Sequence, residues 1–123
     1  MKRVSVAVVD DEPAVRKGLS RLLRTADFDT NTYESAQEFL DDLPCARPDC
    51  LIVDLQMPGV SGMDLQSILQ RSGAHLPVIV VTARDDPDSH DKCMELGAAA
   101  CLCKPLDCDT LVEVIHSVVT QHE

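Results

Sequence analysis

The residues able to do chemistry in this 123-residue chain stand where its apolar segments end. Asp10 and Asp11 follow Val4-Ser-Val-Ala-Val-Val9, and Asp54 follows Cys50-Leu-Ile-Val53. Thr82 follows Pro77-Val-Ile-Val-Val81, and Lys104 follows Ala100-Cys-Leu-Cys103. Each has a mundane explanation when taken alone: an Asp after a strand caps a helix, a Thr ends a strand, a Lys is a solvated charge. Brought to one edge, the five make a site. Two carboxylates about 5 Å apart repel by roughly 3 kcal/mol at an effective dielectric of 20, so three require a raised pKa or a bound cation. Lys104 offsets part of that charge. Oxygen ligands without His or Cys suit a hard divalent ion such as Mg²⁺. A carboxylate left over is a nucleophile toward a phosphoryl group, giving an aspartyl phosphate. Thr82 and Lys104 would then hold the phosphoryl oxygens.

The elements that must bring these residues together are legible from hydrophobic period. Three of the apolar runs, Val4 to Val9, Cys50 to Val53 and Pro77 to Val81, read plainly as strands, and Ala100 to Cys103 is a weaker one. Thr30 to Tyr33 is a further weak strand. Between them lie helical patterns. Pro13 suits a first helical position, and Val15, Leu19, Leu22 and Leu23 share one face. Ser35 and Glu38 have capping-box spacing before Phe39, Leu40 and Leu43. Pro44 to Asp49 reads as a loop with two prolines. Pro58-Gly59 marks a turn, Ser61 caps, and Leu65, Ile68 and Leu69 form a stripe. Asp86 to Leu96 is expected to be helical, with Gly97 as its stop. Asp107 caps a last helix carrying Leu111, Ile115, Val118 and Val119. Five β-α units with short, continuously apolar strands predict a parallel sheet covered by helices on both faces. In such a sheet ligands bind at the carboxyl ends of the strands, where the five residues lie.

Composition narrows the function. Acidic residues outnumber basic ones 21 to 11, for a formal charge of −10. This argues against direct nucleic-acid binding, which needs a basic footprint. Phe28, Tyr33 and Phe39 are the only aromatics, too few for a stacking platform. No apolar run is long enough to span a membrane, and Val4 to Val9 is too short for a signal peptide. The six cysteines (45, 50, 93, 101, 103 and 108) show no zinc-ligand spacing and are expected to be reduced cytosolic thiols, mostly packed as small hydrophobes. Cys101 and Cys103 share a strand face, about 7 Å apart at Cα, too far for an easy disulfide. The histidines at 75, 90, 116 and 122 are expected at the surface, and the acidic run Asp85 to Asp88 as a solvated helix start. One domain over residues 1–123 accounts for the length.

With these pieces assembled, the chain resembles a bacterial response-regulator receiver domain of the CheY-like superfamily over essentially its whole length. The matching segments are Val8-Val9-Asp10-Asp11-Glu12-Pro13, Asp54-Leu55-Gln56-Met57-Pro58-Gly59-Val60-Ser61-Gly62, Val81-Thr82-Ala83 and Lys104-Pro105-Leu106. Ser61-Gly62-Met63-Asp64-Leu65-Gln66 is closest to FixJ/NarL-type transcription regulators. The resemblance implies a flavodoxin-like (βα)5 three-layer sandwich with strand order 2-1-3-4-5. It implies that Asp54 accepts a phosphoryl group from a sensor histidine kinase. Asp11 and Asp54 would ligate Mg²⁺ (or Mn²⁺), with Asp10 direct or through water and the Gln56 backbone carbonyl completing the protein's share. Thr82 would turn its hydroxyl to the new phosphoryl group and Lys104 would pair with it, held by a cis bond before Pro105. Small Ala83 would leave the site open to the donor, and Gln56 and Arg84 occupy positions that influence dephosphorylation. The implied output is altered partner binding or a homodimer through the fourth and fifth helices, in the cytoplasm. The module catalyses only its own phosphorylation and dephosphorylation.

One position departs from the family pattern. Members usually carry Tyr or Phe three residues before the Lys, and here that residue is Cys101. A thiol is too small to swing as the aromatic does, which assigns the switch to Thr82 and the loop and helix after the fourth strand. Other classes fit worse. A haloacid-dehalogenase-type hydrolase of aspartyl phosphate asks for a second Asp two residues after the nucleophile, where Gln56 stands. A flavodoxin-like redox protein asks for a phosphate-cradling first loop, where Asp10-Asp11-Glu12 repels phosphate. A degenerate receiver would lack some of the five residues. Within the receiver reading, the regulatory domain of a transcription regulator is the first expectation and a stand-alone or phosphorelay receiver the alternative.

Overall fold

Each expected strand and helix forms, in the expected order. The computed structural model describes residues 3–54, 62–72, 76–82, 87–95, 97–103 and 106–121, with backbone alone at 44–46, 62, 63, 87, 89, 90, 93 and 121. The elements are β1 (Ser5–Val9), α1 (Pro13–Thr25), β2 (Asp29–Tyr33), α2 (Ala36–Ala46), β3 (Cys50–Asp54), α3 (Gly62–Arg71), β4 (Val78–Thr82), α4 (Pro87–Glu95), β5 (Ala100–Cys103) and α5 (Cys108–Gln121). All four strand pairings are parallel, in the order β2-β1-β3-β4-β5. This is the order of a doubly wound sheet that starts in its middle and reverses direction once.

The strands are apolar on both faces because both faces are covered. Ala7, Val9, Leu51, Val53, Val78 and Val80 pack beneath Ala36 and Phe39 of α2 and Leu65 and Leu69 of α3. Val6, Val8, Cys50, Ile52, Ile79 and Val81 pack beneath Leu19 and Leu23 of α1 and Leu111, Ile115 and Val118 of α5. A large side chain buried in this way contributes about 1.5–3 kcal/mol, so the two layers dominate the stability. Outlying β2 is mostly exposed instead, with Asp29, Asn31 and Thr32 exposed, Thr30 half-buried and Tyr33 alone buried. That is why its sequence signal is weak.

The helix ends follow their cap residues. Pro13 opens α1. Ser35 accepts a hydrogen bond from the Glu38 N–H at 3.1 Å and opens α2. Asp107 accepts from the Thr110 N–H at 3.1 Å and opens α5. Gly97 follows α4 at φ +96°, a conformation that costs a residue with a Cβ. The expected loop from Pro44 is corrected. Helix α2 runs on through Ala46 and ends on Arg47 at φ 40°. Pro44 removes only one amide donor from the last turn, and the Arg47 N–H closes that turn on the Leu43 carbonyl at 3.4 Å. The Pro58-Gly59 turn and the Ser61 cap lie outside the described residues.

Candidate functional site

The site is built at the carboxyl edge of the three central strands. Val9 of β1 pairs with Val53 of β3, so the next residues, Asp10 and Asp54, stand side by side on strands about 4.8 Å apart. Asp54 pairs with Val81 of β4, which brings Thr82 to the same edge. Asp10, Asp54 and Thr82 are only 3%, 6% and 1% exposed. Buried polar side chains cost free energy unless something answers them, so three at one strand edge mark a functional locus. Asp11 differs in being exposed, on the outer side of this edge.

Asp10 is held from three directions. Its N–H donates to the Tyr33 carbonyl of β2 at 3.1 Å. Its carboxylate Oδ1 accepts from the Glu12 N–H at 2.9 Å. Its carbonyl accepts from Arg16 Nη1 of α1 at 2.7 Å. Tyr33 is fixed in turn. Its hydroxyl donates to Asp42 Oδ2 of α2 at 2.6 Å, and its ring meets Phe39 edge-on at 5.3 Å between centroids. Burial, together with that carboxylate, pushes the Tyr33 phenol up to about 12.

The opposite corner is built from a hydroxyl and two thiols. Thr82 pairs with Cys103 of β5, and Val80 with Cys101, so both thiols line the side of the sheet that carries Thr82. The Thr82 hydroxyl contacts Cys103 Sγ at 3.7 Å. Cys101 is half-buried against the α2–α3 core layer, and burial raises its thiol pKa while the Thr82 hydroxyl works to lower it. Cys103 is exposed, although most of the cysteines were expected to pack as small hydrophobes, and so is Cys108. Cys50 fits that expectation. It is fully buried, with its thiol pushed up to about 12 chiefly by burial. His116 is exposed as expected, with its ring 5.1 Å from that of Phe28.

The structure thus brings together Asp10, Asp54 and Thr82, and places Asp11 beside them on the surface. Lys104, Gln56, Ala83, Arg84 and Pro105 lie outside the described residues. Among the described residues no group of three or more His, Cys, Asp or Glu side chains forms a ready metal cage. Two buried carboxylates side by side with a third close in sequence still fit a hard cation that keeps several waters and takes few protein ligands. Sequence reasoning missed Arg16 and Cys103. Arg16 sits about one turn into an amphipathic helix and reads as a solvated charge. Cys103 reads as an idle thiol until the β4–β5 register is known.

Comparison with known proteins agrees with this geometry. The family model described as response regulator receiver domain matches residues 6–116. The transcriptional regulatory protein FixJ of Bradyrhizobium diazoefficiens is 34% identical over 118 residues, covering 96% of this chain and 58% of that protein. The DNA-binding transcriptional regulator NtrC of Klebsiella pneumoniae is 34% identical over 123 residues, covering all of this chain and 26% of that protein. The chain therefore spans between a quarter and three-fifths of these relatives' lengths. Among solved structures, the crystal structure of FixJ-N superposes with a TM-score of 0.91 at 32% identity, covering 98% of this chain and 96% of that one. The chemotaxis protein CheY4 of Vibrio cholerae gives 0.86 at 26% identity, covering 95% and 99%. No helix of the described residues is long and apolar enough to cross a membrane. The chain belongs to the response-regulator receiver family, the domain on which two-component signal transduction acts, and is homologous to the regulatory domains of FixJ and NtrC.

Proposed function

We propose that Asp54 is the phosphoacceptor of a phosphorylation-controlled switch, and that residues 1–123 form one receiver domain. The observation that carries this reading is the 6%-exposed Asp54 carboxylate between the ends of β1 and β4, beside Asp10 and Thr82. An Asp54 carboxylate oxygen attacks the phosphorus of a sensor kinase's phosphohistidine. The new P–O bond forms as the P–N bond breaks, and the imidazole leaves with the electron pair. Receivers of this family bind Mg²⁺. Here Asp10, Asp11, Asp54 and the Gln56 carbonyl would hold it, and its charge would neutralise phosphoryl oxygens. Thr82 donates its hydroxyl to the phosphoryl group and Lys104 pairs with it. Positioning and charge neutralisation are most of what phosphoryl transfer demands. The same residues admit water for dephosphorylation, so the chain catalyses changes only on itself.

The output is a change in partner binding. We assign it to Thr82 and the segment leading into α4, with Cys101 unable to supply an aromatic swing. A homodimer through α4 and α5 is part of this reading, and Met94, 43% exposed on α4, is an apolar side chain available to such a contact. The relatives' names favour the regulatory domain of a longer transcription regulator whose DNA contacts lie elsewhere, since this chain carries a charge of −10. The cytoplasm is the compartment this reading implies.

Intact-mass spectrometry after incubation with acetyl phosphate tests the proposal. The natural chain is expected to gain one phosphoryl adduct that requires Mg²⁺, and Asp54→Asn to gain none. An adduct of equal yield on Asp54→Asn would place the acceptor elsewhere. With no adduct on either chain, Mg²⁺-dependent binding of beryllofluoride, which mimics the phosphoryl group without turnover, separates rapid hydrolysis from an incompetent pocket.

A further inference from the structure

We infer that Arg16 is a positioning residue for the cation pocket, setting its affinity by clamping the peptide that joins Asp10 to Asp11. The inference rests on the reading that Asp10, Asp11 and Asp54 hold Mg²⁺. The Asp10 carbonyl lies one residue beyond β1. A buried carbonyl needs a donor. Arg16 supplies it from α1 with Nη1 at 2.7 Å, a charge-assisted bond at the short end of the range. The second nitrogen of the same guanidinium, Nη2, stands 3.6 Å from Glu34 Oε1 in the turn between β2 and α2. The Arg16 side chain is only 14% exposed, unusual for an arginine at a helix surface. One planar group therefore straps α1, the end of β1 and the end of β2 together.

Peptide planarity gives that strap its reach. The Asp10 carbonyl and the Asp11 amide belong to one rigid plane, so holding the carbonyl fixes the direction in which Asp11 leaves the strand. The Glu12 N–H bond to Asp10 Oδ1 closes the other side of the same turn. The two acidic side chains are thus presented from a backbone with little freedom left. A lysine cannot reproduce this, because a single ammonium lacks the fork that reaches a carbonyl and a carboxylate together. The positive charge alone would act oppositely, since a cation beside the pocket repels Mg²⁺. The proposal is therefore about geometry, and the two effects have opposite signs.

The test is Mg²⁺ titration of the intact chain by calorimetry and by amide NMR shifts, for the natural protein, Arg16→Ala, Arg16→Lys and Asp54→Asn, with the metal-free melting temperature of each. Arg16→Ala is expected to weaken Mg²⁺ about tenfold, the low end for removing a residue that orients a metal ligand. Arg16→Lys is expected to weaken it severalfold although its charge is kept, with amide shifts at Asp11 and Glu12 in the metal-free state. If Arg16→Ala does not fold, Arg16→Lys decides. A folded Arg16→Lys that binds Mg²⁺ as tightly as the natural chain overturns the inference, as does an Arg16→Ala that binds more tightly. In both cases a loss of binding in Asp54→Asn leaves the metal-site reading standing. A natural chain that binds no Mg²⁺ overturns both.

Discussion

Among the described residues, the two corners of the candidate site are held by contacts of different kinds. At the β1 corner, Asp10 takes hydrogen bonds through its amide, its carbonyl and its carboxylate, at 2.7–3.1 Å. At the β4 corner, Thr82 meets a thiol at 3.7 Å, and thiols are weak hydrogen-bonding groups. In the proposed function, the tight corner carries charge that is in place before a phosphoryl donor arrives. In the proposed function, the loose corner carries a hydroxyl that moves afterwards. Preorganisation lowers the cost of binding, whereas a switch needs two arrangements within a few kcal/mol of each other. On the proposed reading, the contrast gives binding to the first corner and signalling to the second.

Breaking the tight corner should have the largest effect. Asp10→Asn keeps an oxygen for the Glu12 N–H and removes one negative charge from the cation pocket. Mg²⁺ is expected to bind about a hundredfold more weakly, the upper end of what losing a partner costs at metal sites, with adduct formation falling in parallel at limiting Mg²⁺. The fold should survive, since the buried charge next to Asp54 is relieved. Calorimetry and the rate of adduct formation check this. Unchanged Mg²⁺ affinity would move Asp10 out of the binding role and leave Asp11 and Asp54 to carry it.

A smaller effect is expected one bond further out, at Tyr33, whose carbonyl receives the Asp10 N–H. Its phenol is shifted up to about 12, chiefly by burial and then by Asp42. The sign follows from the direction of the shift. Folding favours the neutral phenol, so this contribution is fully present below the unfolded value near 10 and is lost as pH rises through about 12. The chain has a single tyrosine, so its ultraviolet titration is unambiguous. The folded midpoint should lie near 12 and fall to about 10 in denaturant. Tyr33→Phe keeps the ring against Phe39 and loses the 2.6 Å bond to Asp42, costing about 1 kcal/mol at pH 7 and removing this alkaline loss. A folded midpoint at 10 would mean that the phenol is open to water.

What the residues disclosed in advance follows the same division. Asp10, Asp54 and Thr82 were legible because each ends an apolar run, and a parallel sheet carries every strand end of that kind to one edge. The caps at Ser35 and Asp107 were legible because they act within three residues. Pro44 misled because a proline in a last helical turn and a proline in a loop have the same local sequence. The difference is made by Arg47 closing the turn in a left-handed conformation. Arg16 was invisible because its partner is a backbone carbonyl, which every residue carries. Cys103 was invisible for another reason. Alternation puts both cysteines of β5 on one face, but only the register of β5 on β4 decides which of them lies beside Thr82.

That register gives the smallest expected effect. If the 3.7 Å contact to Cys103 helps to hold the Thr82 hydroxyl at rest, removing it should favour the phosphoryl-bound arrangement slightly. Cys103 is exposed, so Cys103→Ala opens no core cavity and should leave the melting temperature unchanged within about 1 °C. A thiol contact of this kind is worth about 0.5 kcal/mol, the bottom of the range for a hydrogen bond, so beryllofluoride should bind about twofold more tightly. Cys103→Ser offers a stronger donor and acceptor and should shift the affinity the other way. Cys101→Tyr supplies the aromatic usual in the family and tests the second thiol on the Thr82 side of the sheet. Opposite shifts for the Ala and Ser variants would identify the β4 corner as the adjustable one. Identical affinities would leave Cys103 as a bystander and return the switch to Thr82 and the segment beyond it.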